Sequence, residues 1–133
     1  MDLETGYKWL SRARFIEWSI RDLNEEIDGL YSCIGLQSVS YDKVSIIASP
    51  ENKFERIMAD IDKKKREVER LKKRKEDVIY EIIARINTLE PSSERTILMA
   101  YYVGCKNMKK IADEIGYDLS YCYKLQKKGI RKL

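Results

Sequence analysis

Apolar side chains that recur in alternating steps of three and four along a very long run leave a chain few folds to choose from. Between Glu51 and Leu89 the residues Phe54, Ile57, Ile61, Val68, Leu71, Val78, Ile82 and Leu89 keep this rhythm, which belongs to one face of an α-helix. At ~1.5 Å per residue, the 39 residues of that run span roughly 58 Å, and no small globule encloses such a rod. Its apolar stripe must be covered by a second helix, from this chain or another. A partner is at hand in residues 3–31, where Ala13, Ile16, Ile20, Leu23, Ile27 and Leu30 repeat the same steps and Leu3, Tyr7 and Leu10 extend them. An all-α fold built on a long N-terminal helical hairpin, coiled-coil-like, is therefore predicted. Lys64 and Lys75 interrupt the stripe at inward positions, where a lone cation weakens the packing and helps to set register or partner choice.

The bulk properties narrow the function classes. Charged residues make up 36% and hydrophobic ones 44% of the 133 residues, with no run of 18 apolar residues and no N-terminal leader pattern. A soluble, cytoplasmic protein without a membrane span is the expectation. Cys33, Cys105 and Cys122 are odd in number and form no C-x-x-C pair, so reduced thiols acting as small hydrophobes are expected. Histidine is absent, which removes the commonest general base and metal ligand. With no Gly-rich phosphate loop and no G-x-S-x-G elbow either, no enzyme, cofactor or metal site is expected.

Charge is segregated although its net value is only +4. Residues 1–31 hold seven acids and four bases, residues 63–75 nine bases and two acids, and residues 104–133 eight bases and three acids. For the stretch 63–75 one reading is a solvated face with ion pairs such as Asp62–Arg66 and Glu69–Lys73. In a hairpin it lies opposite residues near 8 to 20, where Lys8, Arg12 and Arg14 stand beside the single acid Glu17. On that register the hairpin cannot neutralise it, and a second chain, nucleic acid or an acidic protein surface is left to do so.

The connection from Ser32 to Ser49 is rich in Ile34, Leu36, Val39, Tyr41, Val44, Ile46 and Ile47, so it is predicted to be a packed loop, a short β-hairpin being one form. It covers the hairpin tip or docks a partner. Pro91 disfavours helix at Glu90, and Ser92 or Ser93 then caps a helix over 93–103 that Gly104 stops. Two domains follow: 1–90, a helical hairpin with an apolar loop at 32–50 for interaction or dimerisation, and 92–133, a three-helix bundle. Ile97, Tyr101, Ile111, Ile115, Cys122, Leu125, Ile130 and Leu133 supply the core of the bundle. Trp9 and Trp18, on different faces of the first helix, read as anchors of a helix–helix interface, within the chain or between copies.

The C-terminal domain carries the most specific pattern. Counting Met108 as the first position, Ile111 and Ala112 fall at the fourth and fifth, Ile115 and Gly116 at the eighth and ninth, and Cys122 and Leu125 at the fifteenth and eighteenth. This is helix-turn-helix spacing: Ala112 is small because the second helix crosses it, and Gly116 leaves the first helix with positive φ. Asn107 caps the first helix and the Asp118 carboxylate caps the second. Many three-helix bundles share part of this pattern, but here the second helix is basic, which points to double-stranded DNA. Cys122, Leu125 and Gly129 turn inward. Leu119, Ser120, Tyr123 and Lys124 then stand where base edges lie in the major groove, and Lys127, Lys128 and Arg131 where phosphates lie; Asn107, Lys109, Asp118 and Tyr121 complete the candidate DNA-binding residues. Tyr121 and Tyr123 serve equally well as packing residues.

The string from Lys110-Ile-Ala-Asp-Glu-Ile-Gly-Tyr through Gln126-Lys-Lys-Gly-Ile-Arg-Lys-Leu133 resembles region 4 of bacterial sigma factors. In layout the whole chain resembles small phage- and prophage-encoded regulators, including ArpU-like late-gene regulators of Gram-positive phages, which join an N-terminal helical hairpin to such a motif. The resemblance implies sequence-specific regulation of phage transcription, with RNA polymerase as a further partner; a dimer joined through the N-terminal helices is expected because one short helix reads few base pairs. Where sigma factors place Arg-Glu after the cap and then Gln, this chain has Leu119, Ser120 and Lys124, so the promoter −35 contacts do not carry over. The alternatives are a protein–protein adaptor that binds polymerase or a phage protein through the hairpin, and a packaging or replication accessory protein.

Overall fold

The computed structural model describes residues 1–44 and 50–133, with side chains for 1–35 and 52–133. Among the described residues the fold is all-helical, without strands: α1 (Leu3–Leu10), α2 (Arg12–Val44), α3 (Pro50–Ile86), α4 (Ser93–Leu98) continuing into a π-helical turn (Met99–Val103), α5 (Met108–Ile115) and α6 (Leu119–Lys132). None of these helices is long and apolar enough to cross a membrane.

Several ends are set by local chemistry. Asp2 caps α1 by accepting from the Thr5 amide at 2.9 Å. The helix expected over 3–31 is divided at Ser11, where the Arg12 guanidinium donates to the Trp9 carbonyl at 2.9 Å. Ser92 caps α4 by accepting from the Arg95 amide, and Asn87, Thr88 and Leu89 close α3 in a turn.

The largest departure from expectation is at Ser32, where a loop was predicted. Residues 32–44 are helical instead, which also removes a β-hairpin there; the remainder of that segment, 45–49, and the side chains of 36–51 lie outside the described residues. Ile27, Leu30 and Ile34 continue the steps of three and four, and Gly29 and Gly35 cost a helix only ~1 kcal/mol each. Propensity alone was too weak to end the helix.

A longer α2 changes which residues of α2 and α3 face each other. The recorded pairs are Arg12–Glu81 at 2.9 Å, Glu17–Lys75 at 2.6 Å, Glu26–Lys64 at 2.9 Å and Tyr31–Lys65 at 2.7 Å. From Arg12–Glu81 through Glu17–Lys75 to Glu26–Lys64 the residue numbers fall on one helix as they rise on the other, so the segments run antiparallel, and all four pairs centre between 45 and 48. A connection over 32–49 would have centred the pairing near 41. The basic stretch 63–75 therefore faces residues from about 17 to 31, not 8 to 20. The facing segment contains Glu17, Asp22, Glu25, Glu26 and Asp28 against Arg21 alone, and Lys64 and Lys75 are neutralised within the chain. The expected intrahelical pairs are replaced as well: Glu69 holds Lys72 rather than Lys73, and Glu67 holds Arg70, while no ion pair joins Asp62 to Arg66.

Packing divides the chain into two compact units, one of Met1–Glu17 with Arg74–Leu133 and one of Trp18–Lys73. The domain boundary expected near residue 91 lies inside the first. In the second unit Ile20 and Ile27 of α2 and Ile57, Ile61 and Val68 of α3 are buried, as the heptad steps require. The first unit has two apolar clusters. One joins Leu10, Ala13, Val78, Ile82, Ile86, Leu89, Leu98, Tyr102 and Ile130, with Leu133 at its margin. The other joins Ile97, Met108, Ile111, Ala112, Cys122 and Leu125, with Tyr101 and Ile115 partly buried against it. Each fully buried Leu or Ile contributes ~1.5–3 kcal/mol. Trp9 packs on the first cluster with Arg12 stacked over its ring, whereas Trp18 is 61% exposed. The cysteines are free and differ in setting: Cys122 is buried as a small hydrophobe, Cys105 is half-buried, and Cys33 is exposed, contrary to expectation.

Candidate nucleic-acid interface

Local sequence sets the frame of α5 and α6. Asn107 accepts from the Lys110 amide at 2.8 Å and so begins α5. Gly116 ends it at φ 75°, a left-handed conformation that suits a residue without Cβ, and its amide donates to the Ala112 carbonyl at 2.9 Å. Two residues on, Asp118 is extended and α6 begins, but the Asp118 carboxylate makes no capping bond, which corrects the capping role expected of it. It remains as an exposed negative charge at the start of α6.

The seam between α5 and α6 follows the predicted spacing. Ile111, Ala112, Cys122 and Leu125 are buried and Ile115 is half-buried. Burial pushes the Cys122 thiol above its ordinary pKa, with Asp118 adding to the shift, so the thiol stays protonated and behaves as an apolar group. Gly129 is buried against α4: a Cβ built there would stand 2.9 Å from Leu98 Cδ1 and 3.4 Å from Glu94 Cβ. On the neighbouring side Gly6 of α1 lies so close to Ile130 that any side chain would collide with it.

At 100° per residue, the buried positions 122, 125, 126, 129 and 130 define one side of α6. Ser120, Lys124, Lys127 and Arg131, at i, i+4, i+7 and i+11, form a ridge on the opposite side, with Lys128 next to it. All of them are exposed, as are Asn107, Lys109, Asp118, Leu119, Tyr121 and Tyr123. The structure thus brings every residue predicted for the site to the surface of one helix pair. Tyr121 also packs edge-on against Tyr117, ring centroids 5.3 Å apart, and the Tyr117 hydroxyl lies 3.1 Å from Ser93 Oγ, so part of its ring is committed to the turn.

The five cations of α6 have two fates. Lys132 turns back to Glu94 of α4, Nζ to carboxylate 2.6 Å, and Lys106 similarly holds Glu114 at 3.0 Å. No ion pair to Lys124, Lys127, Lys128 or Arg131 is recorded among the described residues. Four cations without an acidic partner, on one exposed side of a helix whose other side is fixed by packing, can reach an external polyanion without breaking any bond of the fold.

Three supporting residues were not expected to brace the site. Tyr102 is fully buried, though Tyr101 was expected inward. In the π-helical turn the Gly104 amide donates to the Met99 carbonyl and the Lys106 amide to the Ala100 carbonyl, and this wider turn carries the inward position on to Tyr102. Its hydroxyl accepts from Nε2 of Gln126, itself 3% exposed, at 2.9 Å. Burial pushes the phenol well above its ordinary value, keeping it neutral. A signal for Gln126 existed: it completes the i, i+3, i+4, i+7, i+8 stripe from Cys122 to Ile130, and only its polarity hid it. Arg14 is the third. It donates to the Tyr101 and Lys106 carbonyls at 2.9 and 3.2 Å and stacks over the Tyr101 ring, satisfying the end of the π-helical turn just ahead of α5.

Among the described residues no group of His, Cys, Asp or Glu is placed to hold a metal ion. Comparison with known proteins finds no matching family model, curated protein or solved structure.

Proposed function

We propose that the chain binds double-stranded DNA through α5 and α6 as a helix-turn-helix and regulates transcription, in the manner of the phage regulators and sigma region 4 that its C-terminus resembles. One observation carries this reading: Lys124, Lys127, Lys128 and Arg131 form an exposed, acid-free side of α6 while Cys122, Leu125, Gln126, Gly129 and Ile130 bury the other. In the docked state the N-terminal part of α6, with Leu119, Ser120, Tyr123 and Lys124, enters the major groove. Lys127, Lys128 and Arg131 meet phosphates, and Asn107 and Lys109 flank the site from α5. On this reading residues 1–90 act as a helical hairpin and 92–133 as the DNA-binding bundle. Two copies joined through the N-terminal helices read two half-sites, because one short helix covers few base pairs and pairing multiplies affinity.

With Lys124 reaching a phosphate at the groove edge as well, these four cations of α6 contribute a log–log dependence of affinity on salt with a slope near −3.6. Replacing Lys124 and Lys128 by Ala lowers the magnitude of the slope by about 1.8 while helicity by circular dichroism stays the same. Unchanged affinity and slope in that variant would place DNA contact elsewhere or remove it.

A further inference from the structure

The pairing of α2 with α3 sorts the basic stretch 63–75 into groups the sequence could not separate. Lys64 and Lys75 point inward and are held by Glu26 and Glu17. Lys65 donates to the Tyr31 hydroxyl, and Lys72 and Arg70 are held by Glu69 and Glu67 one turn back. Lys63, Arg66 and Lys73 are exposed, as is Arg74, which packing assigns to the first unit, and no ion pair or hydrogen bond to these four is recorded among the described residues. Taking 100° per residue, Lys63, Arg66 and Lys73 lie within about 80° of one another and are centred on the side of α3 away from Ile61, Lys64 and Val68; Arg70 falls inside the same sector and Arg74 at its edge.

We infer that this side of α3 is a second DNA-contacting surface, one that grips the phosphates of a duplex. The inference rests on the function proposed above and extends it to a site on another unit. From Lys63 to Lys73 the stripe runs about 15 Å, over which one strand of a duplex presents about four phosphates. Three unpartnered cations, with Arg70 in an exposed pair that exchanges readily, match that charge. The stripe holds only Lys and Arg, the side chains that supply most phosphate contacts, so charge sets this contact. A second copy of the chain fits less well. The acids on α2 with no recorded ion pair, Asp22, Glu25 and Asp28, step by three and wind through about 120°, so they form no line opposite the stripe.

The test is lysine footprinting: the full chain is acetylated with and without a saturating duplex of about 60 base pairs, and modification is read residue by residue. Protection of Lys63 and Lys73 together with Lys124 and Lys127 is expected. In parallel, the Lys63→Gln/Arg66→Gln/Lys73→Gln variant should keep its helicity and lower the magnitude of the salt slope by about 2.7. Protection confined to Lys124 and Lys127, with an unchanged slope, overturns the second surface and leaves the first standing. No protection anywhere and no binding removes both. A triple variant that changes the particle mass without changing the slope assigns the stripe to a protein partner, and overturns the inference.

Discussion

The buried hydrogen bond between Tyr102 and Gln126 offers the sharpest quantitative test of how α6 is held. Both groups are removed from water, Tyr102 completely and Gln126 to 3% exposure, and their single shared bond is 2.9 Å long. Tyr102→Phe keeps the ring and its packing but strips the Gln126 amide of its acceptor. An unsatisfied buried polar group costs about 1–3 kcal/mol, and the lost bond is already counted in that range. Gln126→Met does the converse, leaving the phenol without its donor at a similar cost. The double variant removes both polar partners and keeps most of the volume, so its destabilisation should be well below the sum of the two singles, with a coupling of about 1–2 kcal/mol. Urea unfolding followed by circular dichroism, for all four proteins at one pH and salt concentration, closes the cycle. Additive effects would refute the reasoning: the bond would then contribute nothing, and the position of Tyr102 would be set by ring packing alone. Because α6 is seated by this bond on the π-helical turn, the Tyr102→Phe variant should also bind duplex DNA more weakly than the unaltered chain.

Tyr102 makes a pH prediction as well. Its folded-state pKa is raised above the unfolded value of about 10, so it favours the folded state fully below pH 10 and that stability is lost as the pH rises further. In a spectrophotometric titration of the nine tyrosines, one should ionise only together with loss of helicity, and Tyr102→Phe should abolish that step. At the start of α6, Asp118→Asn keeps a residue suited to the cap and removes the exposed carboxylate; affinity for duplex DNA should rise several-fold, since the Asp118 carboxylate makes no capping bond. Equal or weaker binding by Asp118→Asn would move the phosphate path away from that end of the helix.

What the sequence revealed follows from how local each determinant is. The Asn107 cap, the left-handed Gly116 and the buried set Ile111, Ala112, Cys122, Leu125 and Gly129 depend on neighbours within a turn or two, and the spacing alone places them. The outward ridge is their complement, so it was equally legible. Pairing between α2 and α3 was not, because it depends on where α2 ends, and the Ser- and Gly-containing segment after Tyr31 reads as a loop although its apolar steps continue. That single shift changed the partners of Lys64 and Lys75 and thereby the meaning of the basic stretch. Tyr102 and Gln126 were missed for two further reasons: a π-helical turn alters the period on which inward positions are counted, and a polar side chain on a core stripe is recognised only once its partner is known. The bare Asp118 carboxylate was over-read, since a residue suited to capping need not cap.

All of this turns on α6 presenting a cationic side to DNA while its other side is locked into the bundle, and selection from a random duplex library at low salt tests that most directly. The unaltered chain should enrich a defined sequence, and the Lys124→Gln/Lys127→Gln/Lys128→Gln/Arg131→Gln variant, equally helical, should enrich none. Recovery of the same sequence by both proteins, or of no sequence by either, would contradict the account.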